Sequence, residues 1–334
     1  GPQENEPVAI GGYTPLSKVY QFNPIVDSMS QKHKKHVLGG QANLWSEYVT
    51  TTEHSEYMLF PRLTALSEAL WTSTERKNWK TFSRKVQNMF SRFDVMGVNY
   101  AISAYNVSAE SEKNEETGAI ELALMSEFPE VEVKYVTDMG VMEKDGIVYE
   151  NPITINQTKT IKAQAFQGGI PMGKLFEKTF VYHQAVGKQV DYIIPYSEVY
   201  QGTGEMNLVN VLRGTPNFRD GQWQAWLNTD MEVVLDLGEL LPVEKVIVGT
   251  MENQGPDIYF PTKIQVMTSL DGVDFKLVGV VERPYASSGE VRLKDFEITF
   301  DSHSVRYVKV MATCLKENPR KRGSWLFVDE ILVQ

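Results

Sequence analysis

Apolar residues recur every three or four positions in two stretches of the first third of the chain. Tyr57, Phe60, Leu63, Leu66 and Leu70 follow a run of three threonines that can supply an N-cap, with Glu53 favourable in the first turn. This predicts an amphipathic helix, which Pro61 bends near Tyr57 by removing a backbone hydrogen bond. Trp79, Phe82, Val86, Met89, Phe90 and Phe93 predict a second helix from Asn78 to Met96, with Gly97 as its stop. Both stripes read as core. Ahead of them the period is two: after Val37 and Leu38, the residues Gln41, Asn43, Trp45 and Glu47 fall on one face of a predicted strand. Burying a carboxylate, two amides and an indole there is costly without hydrogen-bonded partners, so this face is expected to meet a polar ligand or water.

A charged stretch of low hydrophobicity, residues 108–117, reads as a solvated linker. From about Gly118 to Gly187 the pattern becomes short alternating strands. Val131, Val133 and Tyr135 alternate with Glu130, Glu132 and Lys134, then Ile161, Ala163 and Ala165 follow, with Asp145-Gly146 and Gly168-Gly169 as turns. From about Tyr192 onward strands recur closely: Val233–Gly238, Val243–Gly249, Lys263–Ser269, Lys276–Glu282, Val305–Ala312 and Trp325–Val333, with Asp271-Gly272 as a turn. Trp223, Trp226 and Trp325 read as core anchors. The expected organisation is multidomain, cut at residues 1–109, 110–190 and 191–334, the last two parts being antiparallel β-sandwiches.

Composition narrows the function. A length of 334 residues, 42% hydrophobic and 23% charged, is enough for two or three packed cores. The net charge of −10 disfavours nucleic acid, because phosphate binding needs a concentrated basic surface, and a neutral sugar remains compatible. No run of about 18 apolar residues predicts a membrane span. The single cysteine, Cys314, cannot form an intrachain disulfide and reads as a buried structural thiol. Phosphate loops, dinucleotide fingerprints, nucleophile elbows and zinc spacings are absent. His33 and His36, in a lysine-rich run, read as an exposed turn. The chain opens without an initiator methionine or a signal peptide and is expected to be the C-terminal portion of a longer protein.

The segment GGQANLWSEYV, followed by EHSEYMLFPRLTALSEALW, resembles the last strand and helix of the catalytic barrel of glycoside hydrolase family 20, over about Ile10 to Tyr105. The resemblance implies a partial (β/α)8 barrel at the N-terminus. It also implies an exo-β-N-acetylhexosaminidase that removes terminal N-acetylglucosamine or N-acetylgalactosamine by substrate-assisted retention, without a cofactor. Trp45 would wall the pocket and Glu47 would bond the outer hydroxyls of the sugar; the plainer reading is a packed indole and a Glu47 paired with Arg62. The acid and its partner Asp would lie on a middle strand, outside this chain. The one Asp-Glu dipeptide, Asp329-Glu330, stands in an apolar strand and is the wrong context, so no catalytic residue is assigned. The chain alone is expected to be inactive, and a secreted, periplasmic or cell-surface location follows from the family alone. One strand and a helix pair cannot close a barrel of eight units, so this part is expected to lean on its neighbour or leave apolar surface bare.

KYVTDMGVMEKDGIVYENPITINQTKTIKAQAF resembles the small fibronectin-like domain that follows the barrel in many hexosaminidases, with a spacer's role. DLGELLPVEKVIV, FPTKIQVMTSLDGVDFKLVG and RYVKVMATC resemble a discoidin, or coagulation factor 5/8 C-type, domain, the fold of family 32 carbohydrate-binding modules. That resemblance implies a structural calcium at Asp220 and Glu330, against the plainer reading of a turn cap and an ion pair. It implies glycan contacts from Tyr259, Arg320 and Arg322, against a packing tyrosine and a solvated basic loop. The alternative function is accordingly a non-catalytic carbohydrate-binding or interaction module.

Overall fold

The structure is a computed structural model that describes residues 1–7, 9 and 13–334; Ile10, where the barrel resemblance begins, lies outside the described residues. Two compact units emerge. The first holds Gly1–Ala109, Leu124–Glu150 and Ile161–Lys178; the second holds Glu110–Ala123, Asn151–Thr160 and Thr179–Gln334.

In the first unit the helices are α1 (Leu16–Tyr20), α2 (Gln31–Lys34), α3 (Thr52–Leu59), α4 (Arg62–Trp71) and α5 (Trp79–Met96). Thr51 caps α3 by accepting from His54 N at 3.1 Å. The single bent helix expected across Pro61 is two helices. Proline has no N–H for the ladder, and Phe60 before it takes extended backbone (φ −104°, ψ 135°), which ends α3. α5 keeps its expected bounds: Asn78 accepts from Thr81 N at 2.9 Å, and Gly97 closes the helix at φ 67°, a left-handed angle that costs glycine little. Asn78→Ala is expected to cost about 1 kcal/mol, read as a lower urea midpoint; an unchanged midpoint would show that the cap contributes nothing.

The buried face of α5 (Phe82, Val86, Phe90 and Phe93) continues into Tyr105 and Phe128, whose rings meet edge to face at 4.7 Å. Trp79 Nε1 donates to the Glu127 carbonyl at 2.9 Å. The helical part therefore leans on β-rich chain of its own unit. It also leaves apolar surface bare, with Trp71 89% exposed.

Seven strands build two small sheets: β1 (Ser108–Lys113), β2 (Ile120–Met125), β3 (Glu132–Thr137), β4 (Ile147–Val148), β5 (Ile153–Ile155), β6 (Lys159–Gln167) and β7 (Ile170–Phe180). The sheet orders are β1-β2-β5 and β4-β3-β6-β7. The alternation read from sequence holds on β6, where Ile161, Ala163 and Ala165 are buried, but around β3 it is Val133 and Val136 that are buried while Val131 and Tyr135 are only half-buried; Gly168 and Gly169 turn β6 into β7 with positive φ at both. The expected linker at 108–117 is instead strand β1 and a turn. Asn114 Oδ1 accepts from Glu116 N and Thr117 N, and Asn114 N reaches the Ala119 carbonyl at 2.9 Å, which lays β1 on β2. The charged side chains of β1 suit its place at a sheet edge, where they face water.

The second unit is dominated by a seven-stranded sheet made of β8 (Gln189–Tyr192), β9 (Gln224–Leu227), β10 (Met231–Glu252), β11 (Lys263–Ser269), β12 (Lys276–Glu282), β13 (Arg292–Thr313) and β14 (Trp325–Val333). Its order is β12-β11-β13-β10-β14-β9, with β8 also on β10. β10 and β13 pair antiparallel along almost their whole lengths, with register shifts between Asp236 and Leu241 and between Val243 and Lys245. On one side of those shifts β10 meets β8, and on the other it meets β14. The two runs expected as separate strands, 233–238 and 243–249, are thus one irregular strand, and a single core joins Val233 and Val310 from one half to Val248 and Ile331 from the other. Trp223 and Trp226 are buried as expected, whereas Trp325 is only partly so. Cys314 is buried, and burial pushes its thiol up to about 11, in keeping with a structural role. No helix among the described residues is long and apolar enough to cross a membrane.

Candidate functional site

The segment carrying Gln41, Asn43, Trp45 and Glu47 is not a strand: residues 37–46 have no regular structure. A strand needs a ladder partner for its N–H and C=O groups, and among the described residues no other strand precedes Ser108. The segment is held at Gly40, where an added Cβ would lie 2.8 Å from the Phe22 ring and 3.2 Å from Leu70. Beyond that point it is open to solvent. Trp45 is 64% exposed, and Leu44 and Tyr48 are exposed beside it. Gln41 Nε2 donates weakly to Asn43 Oδ1 at 3.5 Å. Glu47 has no ion pair among the described residues, and Arg62 pairs with Glu6 at 3.2 Å rather than with Glu47. The plainer reading of a packed indole and a Glu47–Arg62 pair therefore does not describe this segment. An indole, a carboxylate and two amides stand on one unpaired stretch, able to stack on a sugar face and accept from hydroxyls.

The sandwich places its sequence-named residues differently. Tyr259 is 3% exposed, and its hydroxyl donates to Asp257 Oδ1 at 3.3 Å. Arg320 is exposed and reaches the Gly255 carbonyl at 2.7 Å and Asp257 at 3.7 Å, so it bridges the 253–260 loop to its own. Asn318 shapes that second loop: its Nδ2 donates to the Arg322 carbonyl at 2.7 Å and its Oδ1 accepts from Arg320 N and Arg322 N. Tyr259 and Arg320 thus meet through Asp257, while the side chain of Arg322 stays in solvent.

Asp220 accepts from Thr215 N at 2.5 Å and from Gln222 N at 2.9 Å, in its own turn. Glu330 is buried on β14, where Oε1 accepts from Val211 N and meets His183 Nε2, both at 3.0 Å. The Val333 N–H points at His183 Nδ1, so Nε2 carries the proton that goes to Glu330. Burial pushes the Glu330 carboxyl above its ordinary range, against the pull of that bond. Asp329, beside it, accepts from Arg213 Nε and Gly214 N, each at 2.9 Å. Both carboxylates are closed off from substrate, consistent with a structural Asp-Glu pair. Glu330 Oε2 is buried without a hydrogen-bond partner, and no group of three or more His, Cys, Asp or Glu residues fit for a metal occurs among the described residues. His183 and Arg213 were missed in the sequence because they lie far from Glu330 and Asp329 along the chain and carry no motif.

The exposed segment and the two helices behind it fall within one family match. Residues 1–74 match the glycosyl hydrolase family 20 catalytic domain. Residues 122–180 match the Fn3 associated family. The beta-hexosaminidase of Porphyromonas gingivalis is 45% identical over 97 residues, 29% of this chain and 12% of that protein. Human beta-hexosaminidase subunit beta is 40% identical over 58 residues, 17% of this chain and 10% of that one. The chain therefore spans only a small part of the length of these relatives. Among solved structures, a chitosan-binding module from a Paenibacillus chitosanase/glucanase aligns with 46% of this chain and 98% of its own, at 15% identity and TM-score 0.31. The C-terminal domain of a Bacteroides fragilis chitobiase aligns with 44% and 93%, at 12% identity and TM-score 0.28. At those scores the sandwich assignment stands on the strand pairing alone.

Proposed function

We propose that this chain is part of an exo-β-N-acetylhexosaminidase that removes terminal N-acetylglucosamine or N-acetylgalactosamine by substrate-assisted retention, in a secreted, periplasmic or surface location. The observation that carries it is the family 20 match over residues 1–74, which contains the unpaired Trp45–Glu47 segment. In the complete enzyme Trp45 stacks on the sugar and Glu47 accepts from its hydroxyls, and the partner of the bare face is the rest of the barrel. The acid and the acetamide-orienting Asp are supplied from outside this chain, because the one adjacent Asp-Glu pair is buried and bonded to Arg213 and His183.

The test is nitrophenol release from 4-nitrophenyl N-acetyl-β-glucosaminide. The purified chain is expected to release none, and a protein that also carries the upstream coding sequence is expected to turn over. In that longer protein Trp45→Ala should lower kcat/KM by at least about tenfold. Turnover by the chain alone would sink the assignment of the acid to another segment.

A second reading, a glycan-binding module, rests on Arg320 and Arg322, which are exposed on one loop of the sandwich, with Tyr259 buried behind them. It requires glycan binding that survives Trp45→Ala and disappears when residues 192–334 are removed. We also propose a structural calcium at Asp220 and Glu330, favoured by the orphaned Glu330 Oε2, with backbone carbonyls completing the oxygen set. A chelator is then expected to lower the melting temperature, and an unmoved transition removes the metal.

A further inference from the structure

The end of the sandwich where β10 stops carries more positive charge than it neutralises. Glu252, the last residue of β10, is opposite Arg292, the first of β13, and its carboxylate is 1% exposed. Glu252 Oε2 pairs with Arg292 Nη2. Glu252 Oε1 lies 3.7 Å from Arg283 Nη1, too far for a hydrogen bond, and is buried without a partner. Both guanidiniums sit against the ring of Phe260, with Arg283 at 4.9 Å and Arg292 at 5.7 Å from its centroid. The loop between the two arginines is pinned by Gln254, which donates to the Ala286 carbonyl at 2.7 Å and accepts from Ser288 N at 3.0 Å.

Two fixed cations share one carboxylate. A guanidinium offers five N–H donors and cannot shed its proton, so the cluster keeps one net positive charge and several unused donors. The Arg283 side chain is only 18% exposed and makes no hydrogen bond among the described residues, and Arg292 Nε is buried without an acceptor. Arg292 Nε is a buried donor and costly to leave unmade, whereas the remaining guanidinium donors are open to solvent and to a ligand. A neutral sugar cannot balance the charge. An oxyanion can, because two of its oxygens match the guanidinium fork.

We propose that Arg283 and Arg292 form a binding site for an oxyanion, a carboxylate or sulfate group carried by a glycan or free in solution. The anion enters from the side of Arg292, whose side chain is 38% exposed, away from the buried Glu252 oxygen that repels it. The site is independent of the Trp45 segment and of the catalytic reading, since all its residues belong to the sandwich unit.

The test is calorimetric titration of the full chain with sodium sulfate, glucuronate and an oligogalacturonate, and with N-acetylglucosamine as the neutral control. The charged probes are expected to bind with Kd on the order of a millimolar or tighter, weakening as sodium chloride is added. Arg292→Gln and Arg283→Gln should each weaken binding about tenfold, and Arg292→Lys, which keeps the charge without the fork, should fall between. Glu252→Gln should tighten binding, because it removes the competing carboxylate; a merely structural Glu252 would make the same change weaken it. Equal affinity for sulfate and the oligomer identifies a free anion, and a clear preference for the oligomer identifies a glycan-borne one. Charged probes that bind no better than the neutral sugar, or affinity unmoved by both glutamine variants in chains that melt like the wild type, would overturn the proposal.

Discussion

Trp226→Ala is expected to leave the C-terminal sandwich barely folded at room temperature. The indole is 1% exposed, lies opposite Leu326 across the β9–β14 pair, and packs into the core that Val233, Val248 and Val328 share. Its Nε1 donates to the Ile194 carbonyl at 3.0 Å, tying the approach to β9 to the sheet. Truncation removes the packed ring and opens a cavity, a loss of about 3–5 kcal/mol for a buried aromatic, and the orphaned carbonyl adds about 1 kcal/mol. Set against a typical domain stability of about 5–15 kcal/mol, that is a large share of the total. Urea unfolding followed by near-ultraviolet circular dichroism reads it directly. Trp226→Phe should restore most of the packing without the hydrogen bond, and a shift of less than about 1 kcal/mol in the alanine variant would show that the core is not organised around this ring.

The second large effect is expected from Asp329→Ala. Asp329 is 1% exposed and accepts from Arg213 Nε, Gly214 N and, on its other oxygen, Glu330 N at 2.7 Å. The space is closed around this arrangement: a Cβ at Gly249 would lie 2.0 Å from Asp329 Oδ1 and 2.3 Å from Arg213 Nη2. Removing the carboxylate leaves two backbone donors unmet and strips Arg213 of its bond to Asp329, leaving the one to Asp295. Breaking a buried pair from one side costs about 3–5 kcal/mol, more than the intact pair contributes, because the surviving partner is stranded. Asp329→Asn keeps the shape and should cost less. Equal midpoints for wild type and Asp329→Ala would mean that the pair is already bridged by solvent.

Periodicity served best where the chain could satisfy its own pattern. The stripe from Trp79 to Phe93 and the stop at Gly97 gave α5 its extent, and the bounds expected for β11, β12 and β14 are those observed. β13 was read only over Val305–Ala312, because its first half, from Arg292, mixes charges with the apolar Leu293, Phe296 and Ile298 and is buried at few positions. The charged composition of 108–117 suits a linker, but the turn chemistry of Asn114 folds it back as a strand on β2. The alternation from Gln41 to Glu47 predicts a strand, but alternation cannot supply a ladder partner, so no strand formed. The meeting of Arg292 with Glu252 was illegible, since only the antiparallel pairing of β13 with β10 sets those positions opposite each other.

The position of β14 has a consequence for how the chain is made. It is the last strand in sequence, yet it lies inside the sheet, bonded to β10 on one side and β9 on the other. While the ribosome is still adding residues before Trp325, β9 is bonded to residues 197–201 on one edge and open on the other, and the second half of β10 has one free edge. Those edges carry Trp226, Val246 and Val248, apolar residues that invite pairing with another nascent chain. The sandwich therefore completes itself only after synthesis has passed Val333, and its yield in a cell depends on how well those edges are shielded until then.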